Sequence, residues 1–121
     1  MTEAQERILE NYKNPKNFGI PAWRPTHSAT IENLSCGDSV TMLLLVEGET
    51  VKDACFNAEG CSIAIGSTSL LLKKIIGMKL NETKKILEEE YLNYIGIELK
   101  ETRKKCALLG FQALKKAIDV E

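Results

Sequence analysis

This 121-residue chain has no C-x-x-C pair, a single histidine (His27), and no long apolar run. Each absence removes a class of protein. Without C-x-x-C, cysteine spacing alone does not mark a metal site. The longest apolar stretch, Val40 to Val46 with Thr41 inside it, is far too short to span a bilayer. The opening residues MTEAQERILENY are charged and lack the apolar core of a secretory signal. Charge of one sign is also missing. Sixteen Lys and Arg stand against 17 Asp and Glu, a formal net charge of −1, so nothing attracts nucleic acid or an anionic membrane. No repeat, linker or low-complexity tract divides the chain. Residues 1–121 therefore read as one domain with a single modest core, and the expected compartment is the cytoplasm.

Four cysteines are present: Cys36, Cys55, Cys61 and Cys106. In a reducing compartment they point to metal or redox chemistry more than to disulfides. The competing reading is four small buried hydrophobes.

The pattern of elements bears on that choice. Ile8, Leu9 and Tyr12 form a helical stripe over residues 3–13, stopped by Asn14-Pro15-Lys16-Asn17 and Gly19. A strand is expected near residues 26–34. Residues 40–47 and 51–58 read as a hairpin closed by Gly48-Glu49. Period-two alternation puts Val51, Asp53, Cys55 and Asn57 on one face of the second strand and Ala54, Phe56 and Ala58 on the other. Gly60 ends it. Residues 61–76 read as a helix with many small residues and a Leu/Ile core stripe, stopped by Gly77. Asn81 is placed to cap a short helix reaching Glu90, with Glu88-Glu89-Glu90 as its solvated end. A last helix, residues 101–119, turns Leu108, Leu109, Phe111, Leu114 and Ile118 inward. A helix, then strands, then helices predicts an α+β fold with a small antiparallel sheet covered on one face.

Cys36, Cys61 and Cys106 all fall at expected element boundaries, where core-filling cysteines are not expected. Gly37 lets Cys36 and Asp38 point the same way from a tight turn. Cys61 lies near a helix N-terminus, and Cys106 follows Arg103-Lys104-Lys105, settings that favour thiolates. Cys55 reads as a bystander and His27 as a solvent-facing residue. Trp23 is open between a partner contact and a lid over the sheet.

Four strings occur in order: Tyr12-Lys13-Asn14-Pro15-Lys16-Asn17-Phe18-Gly19; Cys36-Gly37-Asp38; Asp53-Ala54-Cys55-Phe56-Asn57-Ala58-Glu59-Gly60-Cys61-Ser62-Ile63-Ala64; and Lys105-Cys106-Ala107-Leu108. Together they resemble the U-type iron–sulfur cluster scaffold family: IscU, SufU and the N-terminal domain of NifU. The resemblance runs over nearly the whole chain, which reads as the scaffold unit alone. It implies a site of Cys36, Asp38, Cys61 and Cys106. There a non-enzymatic scaffold takes sulfur from a cysteine desulfurase, builds a [2Fe–2S] cluster with iron and passes it to apo iron–sulfur proteins or carriers. Cys106 and Cys36 are the candidate persulfide acceptors. In the SufU branch the same four positions hold zinc and the protein relays persulfide sulfur, so a zinc-dependent sulfurtransferase is the alternative. A purely structural zinc site is disfavoured, because such sites are closed by Cys and His rather than Asp. Arg103, Lys104 and Lys105 would dock an acidic patch on the desulfurase, tune Cys106, or simply be a solvated helix start.

Two features depart from the family pattern. Lys105 stands where the scaffold branch has histidine, as in SufU, yet the 44 residues between Cys61 and Cys106 lack the SufU insertion. Gly96-Ile97-Glu98-Leu99-Lys100 replaces the Leu-Pro-Pro-Val-Lys-like loop read by a dedicated Hsp70, so the resemblance does not carry that partner over.

Overall fold

The computed structural model describes residues 1–35 and 37–119, with the backbone alone at Thr102. Eight elements follow one another: α1 (Glu3–Lys13), β1 (His27–Asn33), β2 (Asp38–Glu47), β3 (Thr50–Glu59), α2 (Ser62–Ile75), α3 (Leu80–Lys84), α4 (Glu88–Ile95) and α5 (Glu101–Asp119). The sheet is antiparallel in the order β1-β2-β3. Helix α5 packs on β1 and β2, and α2 sits between α1 and α5 against β3. This is the expected α+β architecture, with helices on one face of a small antiparallel sheet.

Alternation along β2 builds the core. Val40, Met42 and Leu44 are buried, as is Phe56 opposite Met42 on β3. They share one apolar cluster with Leu71, Leu72 and Ile75 of α2 and Leu114 and Ile118 of α5. Tyr91 stacks on Phe111 with ring centroids 5.0 Å apart and donates its hydroxyl proton to the Ala107 carbonyl at 2.6 Å. That bond satisfies a fully buried phenol.

The small residues of α2 make its central place possible. A Cβ on Gly66 would strike the Ile8 carbonyl oxygen of α1, and one on Gly110 of α5 would strike Thr68 Oγ1. Glycine on one side of each contact lets the helices approach closely.

Period two fails at one point on β3. Leu45 pairs with Asp53 but Val46 pairs with Val51, leaving Lys52 as the extra residue of a bulge. The bulge turns Val51 to the buried side with Ala54 and Phe56, contrary to the expected face. Residues 81–90 also differ from expectation, because two helices occupy the region. Lys79, not Asn81, is the N-cap of α3. The Lys85 N–H turns back to Glu82 O and Thr83 O, closing α3 early, and Leu87 is extended. Glu88, Glu89 and Glu90 then form the first turn of α4, where carboxylates complement the helix dipole. Helix α1 begins with a capping box in which Thr2 Oγ1 accepts the Gln5 N–H at 3.1 Å and Gln5 Oε1 accepts the Thr2 N–H at 2.9 Å.

The Asn14–Gly19 breaker segment is a latch. Asn17, at φ 62°, and Gly19, at φ 115°, bend the chain alongside β3. There Phe56 N–H donates to Asn17 O and Gly19 N–H to Phe56 O, both at 2.9 Å. Among the described residues no helix is long and apolar enough to cross a membrane.

Candidate metal centre

The sheet register carries Asp38 to one end of the fold. Asn33 of β1 pairs with Asp38 of β2, and between them Gly37 adopts φ 73° with its N–H on the Asn33 carbonyl at 2.9 Å. Left-handed backbone there favours glycine, as the Cys36-Gly37-Asp38 string suggested. Cys36 itself lies outside the described residues, one position before Gly37.

β3 ends at Glu59, and Cys61 becomes the N-cap of α2. Its sulfur caps no backbone N–H, and the first turn of α2 holds no acidic side chain. Cys106 lies in the second turn of α5 and faces the same corner.

Three donor atoms thus meet from three elements distant in sequence. One carboxylate oxygen of Asp38 and the sulfurs of Cys61 and Cys106 all lie within 4.8 Å of one another. Around a tetrahedral zinc ion, with Zn–S about 2.3 Å and Zn–O about 2.0–2.2 Å, neighbouring donors stand roughly 3.5–3.8 Å apart. A shift of about an ångström therefore closes this set on one cation. Asp38 is 7% exposed and Cys106 9%, whereas Cys61 is open to solvent. The donor set is walled on one side and reachable from the other. A cleft of about 450 Å³ leads to it past Ser35, Ser62, Arg103 and Lys105.

Burial pushes the Cys106 thiol up to about 12, helped by its hydrogen bond to Asp38 and by Cys61. The thiolate-favouring setting expected from Arg103-Lys104-Lys105 does not prevail in the metal-free protein. Lys105 is solvent-exposed, and desolvation outweighs it. A bound cation reverses the balance, because it holds the thiolate form.

Cys55 and His27 lie elsewhere. Cys55 is on the outer sheet face opposite Leu43, and its thiol is raised by burial and by Asp53. His27 pairs with Leu44 at the far end of β1, about 20 Å from the Asn33 end at some 3.3 Å per strand residue. It is half-buried, with Nδ1 2.9 Å from Thr26 Oγ1. Trp23 is half-buried, and its indole N–H donates to Asp53 Oδ2 at 3.0 Å, a lid tied to the outer face of the sheet.

Sequence reasoning treated Gly60 only as a strand breaker. A Cβ there would stand 2.9 Å from Asp38 Cγ and 3.0 Å from Oδ1, so the carboxylate occupies the space a side chain would fill. Its place just before Cys61 was the one available signal.

A model of the NifU-like N terminal domain matches residues 3–120. The chain belongs to this family. It is 34% identical to an iron–sulfur cluster assembly scaffold protein IscU from Thermotoga maritima, over 93% of this chain and 90% of that one. It is 30% identical to the zinc-dependent sulfurtransferase SufU of Bacillus subtilis, over 93% and 88%. It is 31% identical to the nitrogen fixation protein NifU of Nostoc sp., over 98% of this chain but only 41% of that one. The chain thus spans about two fifths of the NifU relative's length. The crystal structure of FiSufU from Fervidobacterium islandicum superposes with a TM-score of 0.78 at 26% identity, over 98% of this chain and 96% of that one. The IscU/SufU/NifU resemblance and the α+β fold read from the sequence both hold.

Proposed function

We propose that this protein is a scaffold for iron–sulfur cluster assembly. Cys36, Asp38, Cys61 and Cys106 hold a [2Fe–2S] cluster as cargo, with sulfur supplied by a cysteine desulfurase and the cluster passed to apo iron–sulfur proteins or carriers. The observation that carries this reading is the convergence of Asp38, Cys61 and Cys106 within 4.8 Å at an exposed corner, in a chain of the NifU-like family. Cys36, two residues before Asp38 in the sequence, is the proposed fourth donor.

The donor chemistry suits cargo that leaves. Thiolates are soft ligands for iron, and the single carboxylate is hard and weak among them. Sulfur arrives when a thiolate of Cys106 or Cys36 attacks the outer sulfur of a desulfurase persulfide. The new S–S bond forms as the old one breaks, and the desulfurase cysteine leaves as thiolate. Cys106 must first lose its proton, which cation binding at the site brings about. The scaffold turns over no substrate of its own, and it works in the cytoplasm.

One observation favours a second reading, a zinc-dependent sulfurtransferase. The three described donors lie within 4.8 Å of one another, about an ångström from the spacing a single tetrahedral ion needs. Zinc would then occupy the four-ligand site, and one cysteine would detach to accept sulfur.

Protein purified without oxygen and supplied with Fe²⁺, desulfurase, cysteine and a thiol reductant, which gives the electrons that take persulfide sulfur to sulfide, should develop [2Fe–2S] absorbance and transfer the cluster to an apo-ferredoxin. If it instead retains one zinc ion per chain, builds no cluster and yet speeds the desulfurase, the second reading replaces the first.

A further inference from the structure

We infer that Gly60 is a positioning residue for Asp38, its missing side chain leaving the space in which the carboxylate lies against Cys61 and Cys106. The inference rests on the proposed ligand set and adds what keeps its oxygen donor in place. A Cβ on Gly60 would stand 2.9 Å from Asp38 Cγ, 3.0 Å from Oδ1 and 3.2 Å from Cβ, where ordinary contact begins at 3.4 Å. All three nearest atoms belong to the Asp38 side chain.

The carboxylate has little room to retreat. Asp38 is 7% exposed and anchored at the start of β2 by its pairing with Asn33 and by the neighbouring Ser39–Glu59 pair. Gly60 directly follows Glu59, so β2 and β3 hold both residues at a fixed separation. An added methyl therefore pushes the carboxylate by several tenths of an ångström out of the place in which it faces Cys61 and Cys106. The Gly60 backbone is not in the left-handed region, so alanine introduces no backbone strain of its own. Gly60 thus acts on the metal through Asp38 and touches no metal itself.

The test compares wild type, Gly60→Ala, Asp38→Ala and the double variant, each loaded with Co²⁺ for its d–d spectrum and with Zn²⁺ for the half-time of release to a chelator. The expected result is that Gly60→Ala reproduces Asp38→Ala, with the same direction of spectral change and a release half-time within about threefold. In the Asp38→Ala background, Gly60→Ala should change the half-time by less than about twofold, because coupled residues are non-additive. Melting temperature should fall in Gly60→Ala and recover in the double variant, a rescue that a merely structural glycine would not give. A wild-type spectrum and release rate in Gly60→Ala, or additive effects in the double variant, would overturn the inference. If Gly60→Ala does not fold, the double variant should; failure of both would show that the methyl collides elsewhere. If Asp38→Ala itself matches wild type, the ligand set is what fails, and the role of Gly60 falls with it.

Discussion

Cys106 should be nearly inert to alkylation in the metal-free protein, although it lies beside a solvent-facing cleft. Burial, the hydrogen bond to Asp38 and the nearby Cys61 push its thiol from 9.0 to about 12. At pH 8 a thiol at 9.0 is about one-tenth thiolate, and one at about 12 is about one part in ten thousand. Since the thiolate is the nucleophile, iodoacetamide should modify Cys106 on the order of a thousandfold more slowly in the folded apo-protein than in urea. Peptide mapping by mass spectrometry after timed quenching reads this site by site. Asp38→Asn removes one cause of the rise, so it should speed alkylation while leaving the burial contribution in place. The linked stability has a definite sign. The folded state keeps a proton that the unfolded chain gives up, so this contribution is present below pH 9 and is lost as pH rises toward 12. Zinc loading should release protons and tighten as pH increases. Alkylation of Cys106 in the apo-protein at the unfolded rate would refute this account of the site.

Other outcomes follow from the same geometry. Cys61→Ser should weaken zinc binding by at least about tenfold to a hundredfold, whereas Cys55→Ser, on the outer sheet face, should leave zinc stoichiometry unchanged by elemental analysis. Gly110→Ala drives a methyl into Thr68 and should destabilise the apo-protein by about 1–3 kcal/mol, read as a lower urea midpoint, with the metal site intact. Lys105→Ala should retain zinc but accept labelled persulfide sulfur several-fold more slowly, because it removes a cation from the cleft and no donor from the set. Equal labelling in wild type and variant would remove Lys105 from the path of sulfur entry.

Sequence made the ends of α1 and α5, the Gly48-Glu49 turn and the left-handed glycine before Asp38 legible, because each is announced locally. Glycine marks the turns, and the Leu108–Ile118 stripe marks the buried face of α5. The features that escaped are set by distant neighbours. The bulge at Lys52 depends on how β2 and β3 meet, and period-two counting cannot register an inserted residue. The break between α3 and α4 arises because Lys85 folds back onto Glu82 and Thr83, which composition around Asn81 does not foreshadow. For Cys106, the adjacent cations were visible in the sequence, but the burial that outweighs them belongs to the packed fold.

The Asn17–Gly19 latch also bears on what this sheet can join. Along the outer margin of β3, Phe56 N–H is taken by Asn17, Val51 N–H by Met78 at 2.9 Å, and Ala54 N–H by the Asp53 carboxylate at 2.8 Å. Those three donors are therefore not available to a foreign strand on that side. The other margin of the sheet is β1. There Lys116 Nζ donates to the Thr30 carbonyl at 3.4 Å. The latch thus occupies part of one sheet margin, while Cys61 at the donor corner stays open to solvent.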